Sequence, residues 1–254
     1  MAVTTGNISV PGTSASARHS PNIIKQGVYE TSSEQLHLLG TRVEVGERVF
    51  HYAKAGGVAL AASKLNQGAV PVSDHLKCIL ATTAAVGDMR LKITLNGTTV
   101  AAINLYSEGY INLDNGGGGY GGYKIKAHPA FGAGDSQYVN LYDPIQVALT
   151  ASMYATLTKN PWKDVVVMPT TKTSIPIGVN LVAVTAAYYF WAQTWGPCSC
   201  LLGAGPASIG EALMASGATA GSLITATAGY PVVGNLMRAE AAADYGLVFL
   251  TIAP

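Results

Sequence analysis

The sequence predicts an all-β fold: small β-barrel or sandwich domains, an extended N-terminal arm and little helix. Three observations carry that expectation. Short runs of β-branched and aromatic residues recur along the chain, separated by turn residues drawn from 29 Gly and 12 Pro. Helix-rich heptads are absent. Residues 173–237 hold one charged side chain, Glu211, yet are broken repeatedly by Gly and Pro. A soluble protein is ordinarily about a quarter charged, so a segment this poor in charge is not an ordinary solvated face. Its two plausible destinations are an interface between subunits and lipid.

In chain order, residues 1–40 read as an extended arm. The stretch 10–21 is small, polar and bounded by Pro11 and Pro21, too poor in apolar side chains to order itself. Ile23, Ile24, Val28, Leu36 and Leu38 then supply apolar anchors, and these are the arm's candidate contacts with a neighbouring subunit. Residues 41–172 read as a β-rich domain. Runs 42–45 and 48–52 flank Gly46-Glu47 as a hairpin. Residues 58–64 are the best helix candidate, two turns long. Strands are expected at 77–82, 89–95, 98–102, 110–113, 123–127, 138–142, 146–149, 155–158 and 165–168. Asn96-Gly97 is the strongest local hairpin signal among them. Residues 173–254 read as a low-charge barrel domain, with a long strand or pair over 182–194, then strands at 198–202, 209–214, 222–227 and 231–237. Residues 247–252 would close that barrel.

Charged residues are 11% of the 254, and the net charge is +1. No basic excess points to nucleic acid. The uncharged run 177–195 is long enough to cross a bilayer. Asn180, Thr185 and Gln193 interrupt it, its aromatics crowd one end, and its β-branched composition is that of a strand. No membrane partner is therefore expected, and the start of the chain has neither the basic residues nor the apolar run of a secretory signal.

Motifs for chemistry are weak. Gly117-x-Gly119-x-x-Gly122 has dinucleotide-binding spacing, but Tyr123-Lys124-Ile125-Lys126 leaves it as a strand, without the helix N-terminus that would meet a pyrophosphate. Residues 203–210 form a second glycine-rich turn, cut short by Ser216-Gly217. The five histidines never take metal-ligand spacing, and Cys198-Ser199-Cys200 lacks two further ligands. Asp74-His75 has no accompanying nucleophile, and Glu44 and Glu47 sit beside Arg42 and Arg48 as solvated ion pairs. No catalytic, cofactor or metal site is expected, and the chain is not read as an enzyme. Trp191 and Trp195 share a strand face with Gln193. They are candidates for subunit packing or, alternatively, for a sugar-stacking platform.

Several segments together resemble a known family. Gln193-Thr194-Trp195-Gly196-Pro197, Ile209-Gly210-Glu211-Ala212-Leu213, Gly217-Ala218-Thr219-Ala220-Gly221, Val233-Gly234-Asn235-Leu236-Met237 and Tyr245-Gly246-Leu247-Val248-Phe249-Leu250 are similar to the capsid decoration, or cement, proteins of tailed bacteriophages. Ala84-Ala85-Val86-Gly87-Asp88 and the strands around Tyr110 and Tyr123 look like phage structural proteins of unassigned role. The resemblance spans about two-thirds of the chain, through motifs of low specificity. It implies a virion protein on the capsid surface, made in the host cytoplasm, that binds the major capsid protein and clamps neighbouring capsomers, often as a homotrimer. Simple decoration proteins are about half this length, so the arm and the middle β block would be additional elements. The alternative is a phage tail or fibre protein that binds host glycans.

Overall fold

The computed structural model describes residues 25–116, 119–204, 208–227, 230–238 and 240–254. Strands hold 43% of the chain against 1% helix, as the composition of the sequence predicts. The one helical turn among the described residues is a 3-10 turn at Ser73–His75. The chain divides into two compact units: Met1–Ala69 with Trp162–Pro254, and Val70–Pro161. The division thus falls at 69/70 and 161/162, whereas the sequence suggested 40/41 and 172/173. The middle unit is an insertion between strands that pair with each other.

In chain order the strands are β1 (Arg42–Val45), β2 (Arg48–Lys54), β3 (Leu65–Gln67), β4 (Cys78–Leu80), β5 (Arg90–Thr94), β6 (Tyr110–Asp114), β7 (Gly119–Ala127) and β8 (Ser136–Leu141). They continue with β9 (Tyr154–Thr158), β10 (Val166–Val167), β11 (Pro176–Asn180), β12 (Tyr189–Leu201), β13 (Ala212–Ala215), β14 (Leu223–Thr225), β15 (Gly234–Arg238) and β16 (Tyr245–Thr251).

In the first unit, ten strands form one curled sheet with the path β10-β3-β11-β12-β16-β15-β13-β14, and β1 and β2 join it through β12. β12 is its spine. Its first half registers against β2, from Tyr189↔Lys54 to Trp195↔Val49, and its second half against β16, from Trp195↔Thr251 to Leu201↔Tyr245. The 173–254 block is therefore not a barrel of its own, as its sequence suggested, but shares one sheet with β1–β3. Physically, its long strand needs a hydrogen-bonding partner for residues 189–195, and β2 supplies it.

The hairpin expected around Gly46-Glu47 forms, with Val45↔Arg48 closing it and Gly46 at φ 64°. The helix expected at 58–64 does not. Leu60 bridges Val184, the Ser63 amide donates to the Asn180 carbonyl, and Ser63 itself lies at φ 59°. Two turns of helix are marginal alone, and here the backbone groups are satisfied across the sheet instead. The strand expected from 182 begins only at Tyr189, because Ala187 at φ 64° turns the chain before it.

In the second unit, six antiparallel strands close a barrel in the order β4-β5-β8-β7-β6-β9. Closure removes sheet edges. Alternation sends Leu91 and Ile93, Ile111 and Leu113, Tyr123 and Ile125, Val139 and Leu141, and Ala155 and Leu157 to the interior. Asn96-Gly97 does turn the chain, yet no hairpin forms at 98–102. Both edges of β5 are already occupied by β4 and β8, so the strand has nowhere to fold back. The turn is instead fastened to the 3-10 turn: Asn96 donates to the Leu76 and Lys77 carbonyls, and Asp74 accepts from the Thr98 and Thr99 amides and the Thr99 hydroxyl. Nor do residues 146–149 form a strand; only the Ala84↔Leu149 bridge remains there.

Candidate contact surface

The sheet of the first unit presents one face whose composition departs from that of a solvated strand array. On β16 the odd positions Tyr245, Leu247 and Phe249 point away from the core, while Gly246, Val248 and Leu250 are buried. On the second half of β12, Cys198 and Cys200 are buried, while Ser199 is exposed and Trp195 and Pro197 are half-buried. Register sets these side chains in rows. Pro197 lies opposite Phe249, Phe249 opposite Asn235, and Ser199 opposite Leu247. The Trp195 and Phe249 rings meet edge-on at 5.7 Å. Met237 sits in the bulge of β15 between Leu236 and Arg238.

Leu247 and Tyr245 remain 39% and 48% exposed, and Met237 39%. Arg238, opposite Leu247 in the register, brings a charge onto this face and pairs with Glu240 at 3.0 Å. A solvated antiparallel sheet alternates apolar and polar. β16 is apolar on both parities, as are strands covered on both faces. Contiguous exposed apolar side chains of this kind mark interaction surfaces.

The residues anticipated as contacts fare unequally. Ile23 and Ile24 lie outside the described residues. Val28 and Leu39 are buried in the chain's own core with Val43, Phe50, Tyr52 and Trp191. Leu36 packs against the same cluster, its amide donating to the Tyr52 hydroxyl at 3.1 Å. Leu38 alone among the described arm candidates is well exposed, at 56%. The described part of the arm expected to run through residue 40, residues 25–40, docks on its own chain. Ser32 bridges Tyr189, and Gln26 accepts from the Tyr52 hydroxyl and donates to the Glu30 and Tyr189 carbonyls. Of the apolar anchors that suggested a neighbour, Val28 and Leu36 find their partners in their own chain.

The two indoles part company. Trp191 is 1% exposed and its Nε1 donates to the Gln26 carbonyl at 2.9 Å. No sugar can stack on it, and no second subunit can reach it. Trp195 lies four residues on, past a register shift between Gln193 and Trp195, and reaches the outward face. Gln193 holds that irregularity, its amide donating to the carbonyls of Trp195, Gly196 and Pro197. Tyr245, Leu247, Phe249 and Pro197 were not singled out from the sequence. The two-parity apolar pattern of 245–250 was the signal that could have found them.

Neither unit assembles catalytic geometry from the groups weighed in the sequence. His75 is fully buried in the barrel. Its Nε2 donates to the Thr99 carbonyl at 3.0 Å, so its Nδ1 accepts from the Tyr106 hydroxyl. Burial holds that phenol well above the usual tyrosine pKa. Asp74 is bound up in the Asn96-Gly97 turn, and the Thr99 hydroxyl and amides lower its pKa. Cys78, Cys198 and Cys200 are free and buried, and the Cys198 contact with burial keeps the Cys200 thiol protonated. Among the described residues, no group of three or more His, Cys, Asp or Glu is placed to hold a metal. No helix among them is long and apolar enough to cross a membrane.

No protein-family model, curated protein or solved structure matches the chain.

Proposed function

We propose that this chain is a structural virion protein that binds the outer surface of a phage capsid and stabilises contacts between capsomers. Its partner is the major capsid protein, and it acts as a homo-oligomer, with a trimer favoured. The observation that carries this reading is the largely apolar outward face of β12, β16 and β15, on which Tyr245, Leu247 and Met237 are exposed. A cement needs apolar area that becomes buried only on assembly, contributing about 25 cal/mol per Å² removed from water. A chain with 11% charged residues and a net charge of +1 also has little electrostatic repulsion to overcome on close packing. The segments that resemble decoration proteins contribute Trp195, Pro197, Tyr245, Leu247, Phe249 and Met237 to this face. The role asks for no cofactor and no catalytic group.

The test is co-sedimentation of the purified protein with mature shells from which it has been removed. Wild-type chain is expected to pellet with the shells, and Leu247→Lys, which sets a second cation opposite Arg238, to bind at least about tenfold more weakly, because an unpaired charge buried in an apolar contact costs several kcal/mol. Leu247 is on the surface of the free chain, so the variant should melt as the wild type does. Failure of the wild type to bind, or equal binding by the folded variant, would remove the support for this face.

A further inference from the structure

We propose that a polar groove on the barrel unit binds a saccharide. This inference concerns residues 70–161 alone and does not rest on the capsid reading. The groove has a volume of about 320 Å³ and is lined by Thr82, Thr83, Asp88, Met89, Arg90, Tyr138 and Asn140. Ligand sites in proteins begin at about this size, roughly 300 Å³.

One wall is the outward face of two paired strands, with Arg90 opposite Asn140 and Lys92 opposite Tyr138. The other is the connector that runs from β4 to β5, and it is held firmly. Ala84 and Leu149 exchange both backbone hydrogen bonds, the Gly87 amide donates to Ile145, the Ile145 amide to Asp88, and the Leu141 amide to Met89. The Asp88 carboxylate ties the connector internally by accepting from the Ala85 amide at 2.8 Å. Both walls are thus organised before any ligand arrives, which lowers the entropy lost on binding.

The lining groups match polyhydroxyl chemistry. The Arg90 guanidinium lies 4.4 Å from the centre of the Tyr138 ring, and the Lys92 ammonium 5.8 Å from it. Stacking fixes the guanidinium as an oriented fork of donors, suited to vicinal hydroxyls or a sugar carboxylate. Among the described residues neither cation forms an ion pair, and the side chains of Thr82, Thr83 and Asn140 make no hydrogen bond. Exposed to water, these donors and acceptors are available to a ligand in the groove. Met89, 47% exposed, and Tyr138, 40% exposed, add the apolar surface that a pyranose C–H face requires.

The experiment is saturation-transfer NMR on the full chain with glucose, galactose, mannose, N-acetylglucosamine and glucuronate at millimolar concentration. At least one is expected to receive saturation, and Tyr138→Ala and Asn140→Ala to weaken its binding at least about tenfold through lost contacts. Lys126→Ala, elsewhere on the barrel, should leave it unchanged. All these positions are on the surface, and melting temperatures check that the variants remain folded. Absence of transfer from the whole panel overturns the proposal. So does binding that survives both groove substitutions.

Discussion

His51 shows how one side chain couples the two chemistries of the sheet. Its ring stacks flat on Trp162, with centroids 4.5 Å apart. The Thr194 hydroxyl donates to the Ala253 carbonyl at 2.6 Å, so the 3.2 Å contact with His51 Nδ1 requires the imidazole to donate. Burial, aided by the positive charge of Arg42, lowers the His51 pKa from 6.5 to about 4. The unfolded chain therefore takes up this proton first as the pH falls. Stability should decline between pH 6.5 and about 4, by at most about 3 kcal/mol and less for a partly exposed ring. Urea unfolding at pH 7 and pH 4.5 checks this: His51→Gln should lose less over that interval than the wild type.

Trp191 makes a second residue-scale case. Trp191→Phe keeps a buried ring but leaves the Gln26 carbonyl without its donor, at an expected cost of about 1–3 kcal/mol. Thermal melting measures the loss, and proteolysis should show residues 25–40 cut more readily. A variant as stable as the wild type would mean that the indole hydrogen bond contributes nothing to docking residues 25–40.

At the scale of elements, the irregularity in β12 decides which side chains face outward. Gly196 follows it at φ 84°, and a Cβ there would lie 2.7 Å from the Glu47 carbonyl oxygen. Gly196→Ala should therefore destabilise the unit by more than about 1 kcal/mol, read by denaturant unfolding. The strands themselves were largely legible, because the runs of β-branched and aromatic residues at 42–45, 48–52, 110–113, 123–127, 155–158 and 247–252, set between turn residues, are local signals. The exceptions share a cause that no local window contains. Residues 98–102 look like a hairpin partner, but β4 and β8 already occupy β5. Residues 58–64 look helical, but bridges to distant strands claim their backbone. Of the candidate site, Trp195 was legible and Leu247 was not, since outward and inward apolar positions on β16 differ only once its sheet is known.

On the scale of the whole molecule, the barrel leaves and rejoins the large sheet between β3 and β10. Those strands pair directly, Gln67 with Val166 and Asn66 with Val167. Paired residues of an antiparallel ladder lie about 5 Å apart, so a short turn can replace the insertion. Replacing residues 70–161 with a short Gly-Asn-Gly linker should leave the sheet folded, with a cooperative melt and undiminished binding to shells. A collapsed or non-cooperative product would show that the sheet depends on the insertion.

The proposed role is that of a chain that coats a capsid. Its most direct test is the number of copies in purified particles relative to the major capsid protein, measured by quantitative mass spectrometry. A fixed ratio near that of the shell's local three-fold positions is the expected result. A handful of copies per particle, or none, would contradict the decoration role.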